Sequence, residues 1–594
     1  MPRASKGTSP TTDIPESPEQ PGRSQEWMVV LAITLAGIAL RVWQPSHMAV
    51  EHFDEGVYAS NILCPFNGDR YPFRHLYAPP LLPFLLEWTL ILTGMNAASV
   101  IWVNVVAGCV MVPSIWWVSR QWFGPIAGMT SATLAAFSEV HILFSRTALT
   151  DVLLCLWMLW AVYWAWRAIL TGRPLAIFLA GLFASLAWWT KYNGWLTLAI
   201  SGSGTLAWLI VPRITPSRFA AHFQCAAKRE DVPSPGAVLL RWSLLATIAI
   251  VGWLPVLIDL QQYGGYAAVS ANHAGYFVGF GGWWESFSKQ LTHLRLISQS
   301  WTWVGVGLCP LIVVHPGSET LTRPLARFLL AFGLLIFIEL ADYGLVDSAI
   351  TIGILTVCGV VATLTQSRNL QMDLAGWFLC AWFIGLFTAV PLYTPYLRLT
   401  VPLIVTCWLL VGRLFESVNQ SLSRDLSSAA EAQRSETHLN LVTNWLLIAP
   451  IIGLILIVSR ANTQVWQDRG RLQEIAFEIS EIQADWSPDS SIGVIGEPGL
   501  FYQLGFQSGP HYTAAFPVPD FGIVNDVTET EPTVFLVTGP HSPLLSEQPQ
   551  EVQDRLSLVA EWPYQPSLLV QLDERASSNV RQETVPIRLY RVRP

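Results

Sequence analysis

Apolar stretches of about 17–22 residues recur along most of this chain, and each is long enough to cross a hydrocarbon core of about 30 Å. Short polar or charged segments separate them. The pattern predicts spans near 27–43, 97–118, 124–141, 151–167, 174–190, 195–211, 242–260, 300–318, 327–343, 346–365, 373–390, 397–412 and 443–459, about 13 in all. A further run, Leu81–Leu92, has Pro83 and Glu87 inside it and suits a helix lying at the interface. After residue 460 the pattern changes. Ser491–Gly496 and Thr533–Thr538 read as short buried strands, and Arg471–Glu481 has helical periodicity. The expected architecture is a polytopic α-helical membrane protein with a small C-terminal soluble α/β domain. Residues 1–26 form a disordered inner N-terminus, 27–460 the membrane domain with outer loops 44–96 and 261–299, and 461–594 the outer domain.

Composition agrees: 52% hydrophobic residues, 13% charged, and a mean hydropathy of +0.41 exclude an ordinary cytosolic enzyme. The net charge of -8 offers no basic surface for nucleic acid. Lys and Arg are denser in the loops that lie inside when the N-terminus is inside, which puts the first loop, the 261–299 loop and the tail on the outer side. The first apolar run has no small-residue cleavage motif after it and reads as an uncleaved span. Of the eight cysteines, six fall in predicted spans and the tail has none, so neither a disulfide scaffold nor a cysteine metal cluster is expected.

Charged residues at span ends need a reason, because burying them near lipid is costly. Asp54-Glu55 follows the first span; the pair reads either as solvated carboxylates or as a general base for an acceptor hydroxyl or amine. In Ser145-Arg146-Thr147-Ala148-Leu149-Thr150-Asp151 the aspartate stands where an N-cap and a site residue are equally plausible, and Thr150 competes for the cap. Lys191, in Thr190-Lys191-Tyr192-Asn193-Gly194, either snorkels to headgroups or pairs with a phosphate. Arg398, beside Tyr393 and Tyr396, either snorkels or clamps a phosphate. Arg74 and His75, just before Tyr77-Ala78-Pro79-Pro80-Leu81, add phosphate contacts, and Asp342 is a weaker candidate. All these groups fall on one face of the topology, which matches a reaction on a phosphate-linked, lipid-borne substrate.

These residues resemble those of multi-spanning (GT-C type) glycosyltransferases that use polyprenyl-phosphate-linked sugars. The resemblance is narrowest to bacterial relatives of the protein O-mannosyltransferases and of the lipid A aminoarabinose transferase. It is carried by Asp54-Glu55 followed by Tyr58, by Tyr77-Ala78-Pro79-Pro80-Leu81, by Arg146–Asp151 and by Thr190-Lys191-Tyr192-Asn193-Gly194, in order at span boundaries over roughly residues 27–460. It implies inverting transfer to a lipid, glycan or protein acceptor at the outer face of a bacterial inner membrane, by a monomer. Asp54 would be the base, Asp151 would position the base or the acceptor, and Glu55 would support Asp54. Lys191 and Arg398 would hold the donor phosphate, with Arg74, His75 and Arg146 in reserve. Tyr58, Tyr77, Tyr192, Tyr393, Tyr396 and Asp342 would line the substrate. Some relatives place a lysine where this chain has Ala78, so that phosphate contact is missing here or supplied by His75. No metal is expected to be obligatory; His52, Asp54, Glu55 and His75 could supply ligands to a divalent cation, but their spacing matches no closed motif.

Two other classes stay open. A transporter fits the span count, although polar groups cluster at span ends rather than the midplane and no inverted repeat is evident. An envelope assembly protein, anchored by its spans and binding a partner through its tail, requires no chemistry from Asp54.

Overall fold

The computed structural model describes residues 23–60, 78–94, 98–214, 233–297, 373–413, 416, 463–484, 486, 490–507, 514–518, 520–525, 527, 533–574 and 584–593. Predicted spans 300–318, 327–343, 346–365 and 443–459, and the candidates Arg74, His75, Tyr77 and Asp342, lie outside these residues.

The membrane part is helical: α1 (Arg23–Val42), α2 (Phe53–Ala59), α3 (Leu81–Thr93), α4 (Trp102–Phe123), α5 (Pro125–Phe137), α6 (Glu139–Ser145), α7 (Asp151–Thr171), α8 (Pro174–Thr190), α9 (Leu196–Ile214), α10 (Pro235–Gln261), α11 (Gly265–His273), α12 (Trp283–Ile297), α13 (Leu374–Ala389) and α14 (401–413). Among the described residues four helices, α4 (with the turn before it), α7, α10 and α13 (with the turn after it), are long and apolar enough to cross a membrane. A fifth span arises if α5 and α6 are taken together. The run Leu81–Thr93 is helical, and its 13 residues span about 20 Å, short of a hydrocarbon core.

The predicted single span at 124–141 is in fact two helices bent by 59°. Ser138 has extended backbone and its hydroxyl accepts the His141 N–H, so a new helix begins there. The carbonyls that end α5 are taken by a side chain: buried Arg41 donates to Ala135 O (2.8 Å) and Ala136 O (3.1 Å), and it also donates to Gly37 O (2.9 Å) and meets His141 Nδ1 at 2.8 Å. At the other end of α5, Glu416 Oε2 accepts the N–H groups of Ile126 and Ala127, the orphan donors of a helix start.

The tail begins with α15 (Arg471–Ala484) and builds one five-stranded sheet from β1 (Ser491–Ile495), β2 (Ala514–Val518), β3 (Val534–Thr538), β4 (Leu556–Tyr564) and β5 (Val585–Val592), in the order β2-β1-β3-β5-β4. Strands β2, β1 and β3 are parallel; β5 joins β3 antiparallel, and β4 joins β5 antiparallel. Helix α16 (Pro498–Gln507) follows β1, and α17 (Gln550–Asp554) and α18 (Leu568–Glu574) flank β4. Both faces of the sheet are covered, which is why the central strands are continuous apolar runs. Leu472, Ile475, Leu500 and Leu504 pack with Ile492 and Val494, while Ile495, Phe521, Val524 and Leu536 form the opposite core. The predicted helix and both predicted strands are present here.

The chain leaves β1 for β2 on one side and returns to β3 on the other, so the carboxyl ends of β1 and β3 flank a topological switch point, where open α/β sheets hold ligands. Here that crevice holds α2 of the membrane part. Gly56 rests directly on the start of α16: a Cβ there would lie 2.1 Å from Gly499 N and 2.3 Å from the Pro498 carbonyl carbon. Phe53 sets its ring edge-on to His541, 5.3 Å between centroids, in the loop after β3. His541 is held by Glu497, in the loop after β1, through both its N–H and its ring Nδ1.

Ion pairs fasten the same joint. Arg469, just before α15, reaches Glu51 at 3.3 Å and pairs with Glu55, and its third nitrogen donates to Arg146 O at 3.0 Å. Glu51 Oε1 also accepts from Tyr564 (2.9 Å) and from Ser567 N (2.8 Å) of the tail. Burial is the largest influence on Glu51 and lifts its carboxyl above the ordinary range, against the pull of Arg469 and these donors.

Two outcomes follow for this joint. Gly56→Val should separate α2 from the tail, seen as faster proteolysis of the tail and a lower unfolding temperature; unchanged protection contradicts the close approach. Arg469→Ala leaves two buried carboxylates uncompensated and should cost about 3–5 kcal/mol of stability. A thermal midpoint equal to that of the unaltered protein contradicts it.

Candidate active site

Helix α2 is set by a capping box: Glu55 Oε2 accepts the His52 N–H at 2.9 Å, and the His52 side chain accepts the Asp54 N–H at 3.1 Å. That second bond decides the histidine's proton. A backbone N–H can only donate, so His52 Nδ1 carries no hydrogen, and Nε2–H donates to Asp573 Oδ2 at 3.0 Å. Asp573 comes from α18 of the tail, 521 residues further along the chain.

The centre of the site is Arg398, in the turn before α14. Its Nη1 pairs with Asp54 Oδ2, its Nε donates to Asp573 Oδ2 at 3.1 Å, and its backbone N–H donates to Asp573 Oδ1 at 3.2 Å. The Tyr396 ring lies under the guanidinium, 5.4 Å from its carbon. The side chains of Asp54 (17% exposed) and Arg398 (18%) open to the surface, whereas that of Asp573 is 0% exposed. Burial is the largest single influence and raises both acids, but Arg398 and His52 together outweigh it. Asp54 is held below the usual carboxylate range, and Asp573, which also accepts from His52, is pushed down to about 2. Both acids are lowered on folding. Their stabilisation is therefore present above the ordinary carboxylate pKa of about 4 and is lost as pH falls through the depressed values.

Asp151 and Lys191 form the second pair, Nζ to Oδ1 2.7 Å, with the lysine side chain 20% exposed. Asp151 is the first residue of α7 and Thr150 stands at the cap position without a capping side-chain bond. The Asp151 carboxylate is turned to Lys191, and its buried Oδ2 has no hydrogen-bond partner among the described residues. The charges of Asp573, Asp54 and Asp151 all act on Arg398, so the two pairs share one neighbourhood. The loop that delivers Asp151 is pinned from α4, where Asn104 Nδ2 donates to Thr147 O and Leu149 O.

Aromatic rings join the pairs. Tyr192 stands 6.4 Å from His273, His273 6.3 Å from Tyr276, and Tyr276 5.7 Å from Tyr396, so the 261–299 segment walls the space between Lys191 and Arg398. Tyr58 is buried on α2, one turn beyond Asp54 and on the same face. Tyr393 is exposed and meets Phe277 at 5.6 Å.

The structure thus brings together Asp54, Arg398, Asp151, Lys191, Tyr58, Tyr192 and Tyr396. Two other candidates serve the framework. The Glu55 carboxylate accepts from Ala148 N (2.7 Å) as well as from Arg469 and the N-cap, which leaves it buried beneath α2. Arg146 spends its guanidinium on the carbonyls of Arg41, Trp43 and Gln44. Sequence reasoning missed Asp573, Arg469 and Asn104. Among the described residues no three His, Cys, Asp or Glu side chains gather as metal ligands.

Residues 77–223, about a quarter of the chain, match the family model described as dolichyl-phosphate-mannose-protein mannosyltransferase. The match includes Asp151 and Lys191 and begins after Asp54. No curated protein matches the sequence. Among solved structures, ArnT from Cupriavidus metallidurans bound to undecaprenyl phosphate is 12% identical, with 96% of this chain and 98% of that chain covered at a TM-score of 0.49. The oligosaccharyltransferase AglB from Archaeoglobus fulgidus, in complex with an inhibitory peptide and a dolichol-phosphate, is 13% identical at a TM-score of 0.45; the match covers 84% of this chain and 65% of the length of AglB. Likenesses this distant carry no argument about activity. The chain resembles the mannosyltransferase family over the matched quarter, in a helical membrane framework with a C-terminal sheet domain.

Proposed function

We propose that this chain is an inverting glycosyltransferase that moves a sugar from a polyprenyl-phosphate donor to a hydroxyl, amine or phosphate acceptor at the outer face of a bacterial inner membrane. The observation that carries the reading is Arg398 in direct contact with Asp54 at an open edge of the site. A base and a phosphate-binding cation belong to one site, the two functions that a displacement at an anomeric carbon uses on opposite faces of the sugar. The match of residues 77–223 to mannosyltransferases that take lipid-phosphate donors supports the same chemistry.

In this reading the donor phosphate lies between Arg398 and Lys191, whose charges stabilise the negative charge that grows on the leaving oxygen. The acceptor O–H or N–H faces Asp54 on the opposite side of the sugar. Its proton passes to the Asp54 carboxylate as the acceptor atom bonds to the anomeric carbon. The bond from that carbon to the phosphate oxygen breaks, and its electron pair leaves with polyprenyl phosphate. One displacement inverts the carbon, so no nucleophilic carboxylate is needed. Asp151 orients Lys191.

In a purified, detergent-solubilised assay with a labelled polyprenyl-phosphate sugar, Asp54→Asn should lower turnover about 10²–10⁴-fold while the variant still binds undecaprenyl phosphate. Near-normal turnover contradicts the assigned base. Transbilayer movement of the labelled lipid without transfer, in proteoliposomes of the unaltered protein, contradicts the enzyme reading as a whole.

A further inference from the structure

The reading above uses membrane-part residues alone, yet the most buried carboxylate at the site belongs to the tail. Asp573 makes three contacts there: with Arg398 Nε (3.1 Å), with the Arg398 backbone N–H (3.2 Å) and with His52 Nε2 (3.0 Å). Its partners lie on either side of Asp54, one holding the start of α2 and the other the turn before α14. Arg398 is therefore divided by function. Its Nε and its backbone are fixed on a carboxylate with no solvent exposure, while Nη1 reaches the 17%-exposed Asp54.

A guanidinium held in this way can change partner at its outer edge without moving its root. Arginine carries five N–H donors in a planar fork, so the nitrogens directed at Asp54 can turn to phosphate oxygens while Nε stays on Asp573. Without Asp573 the side chain would have Asp54 as its one carboxylate partner in the site, and a phosphate would have to compete for the whole cation. The fixed His52 tautomer completes the arrangement, because its Nε2–H fills a lone pair of Asp573 and its Nδ1 is bonded to the Asp54 backbone.

We propose that Asp573 is a positioning residue of the transferase site: the C-terminal domain anchors Arg398 by its Nε so that the outer face of the guanidinium passes from Asp54 to the donor phosphate, which frees Asp54 to act as base. The tail is on this account a component of the site rather than an appendage. The proposal rests on the glycosyltransferase reading. It further requires that donor binding precede productive acceptor binding, since Asp54 is occupied by Arg398 until phosphate arrives.

The test uses the full-length protein in detergent, with binding of undecaprenyl phosphate followed by intrinsic tryptophan fluorescence and turnover followed with a labelled donor. Asp573→Asn keeps the size and one of the two accepting oxygens but removes the charge. Its affinity for undecaprenyl phosphate should fall at least tenfold and its donor KM rise by a similar factor, while the acceptor KM stays within about twofold. Asp573→Glu restores the charge one methylene out of place and should recover part of the loss, about threefold weaker than the unaltered protein. A purely structural role predicts instead a smaller active fraction, with kcat lowered and both KM values unchanged, and that result overturns the proposal. If Asp573→Asn does not fold, Asp573→Glu decides: unaltered donor affinity in it also overturns the proposal. Failure of the unaltered protein to bind undecaprenyl phosphate is a separate outcome, which removes the glycosyltransferase reading and this role together. Normal binding by the unaltered protein and by Asp573→Asn alike removes this role alone.

Discussion

The structure depends on one arginine shared between two carboxylates from distant parts of the chain. Arg398 meets Asp54 from the first loop and Asp573 from the tail, and neither acid lies near it in sequence. Three ionised groups brought out of water are costly unless each is paired and hydrogen-bonded. Each of them is: Asp573 through three donors, Arg398 through two carboxylates, and Asp54 through Arg398. The arrangement still carries an excess negative charge, balanced by neither His52, which is neutral in its bonded tautomer, nor the separate Asp151–Lys191 pair. That charge opposes a further anion, so a phosphate can be received only by drawing Arg398 away from Asp54 and by sharing the cation of Lys191.

The tail earns its place by geometry as well as charge. An open α/β sheet has one obvious crevice, at the carboxyl ends of the strands beside its switch point. In this chain the crevice is filled by α2, the helix that carries Asp54, with Gly56 small enough to let the two backbones meet. Arg469 and Glu51 then tie the same helix to the start of the tail and to α18. The position of Asp54 is thus set by the C-terminal sheet domain as much as by the membrane helices, which places the domain within the proposed chemistry.

Much of this was legible in the sequence. The length of the apolar runs gives α4, α7, α10 and α13, the helices that are long and apolar enough to cross a membrane among the described residues, because hydrocarbon thickness is fixed. The strands at Ser491 and Val534 show as apolar runs because both of their faces are covered. Asp54, Asp151, Lys191 and Arg398 stand out because a charge at a span end needs a partner. What stayed hidden has a common cause. Asp573 and Arg469 belong to a segment rich in ordinary surface charge, and nothing local separates a carboxylate that will be buried 521 residues away from one that stays in water. The break at Ser138 does have a local signal, a capping serine followed by Glu139, but it sits inside a long apolar stretch, and the capture of the α5 carbonyls by Arg41 is a tertiary event. Glu55 and Arg146 carry the right chemistry in the right place, yet the framework consumes their hydrogen-bonding capacity.

The central claim is that a lipid-borne phosphate is received where Asp54, Arg398 and Lys191 converge. The most direct measurement is an electron cryomicroscopy structure of the full chain with undecaprenyl phosphate bound. The phosphate should lie within hydrogen-bond distance of the Arg398 outer nitrogens and Lys191 Nζ, with Arg398 Nε still on Asp573 and Asp54 released. A phosphate seated elsewhere, with the Asp54–Arg398 pair intact, would contradict the account.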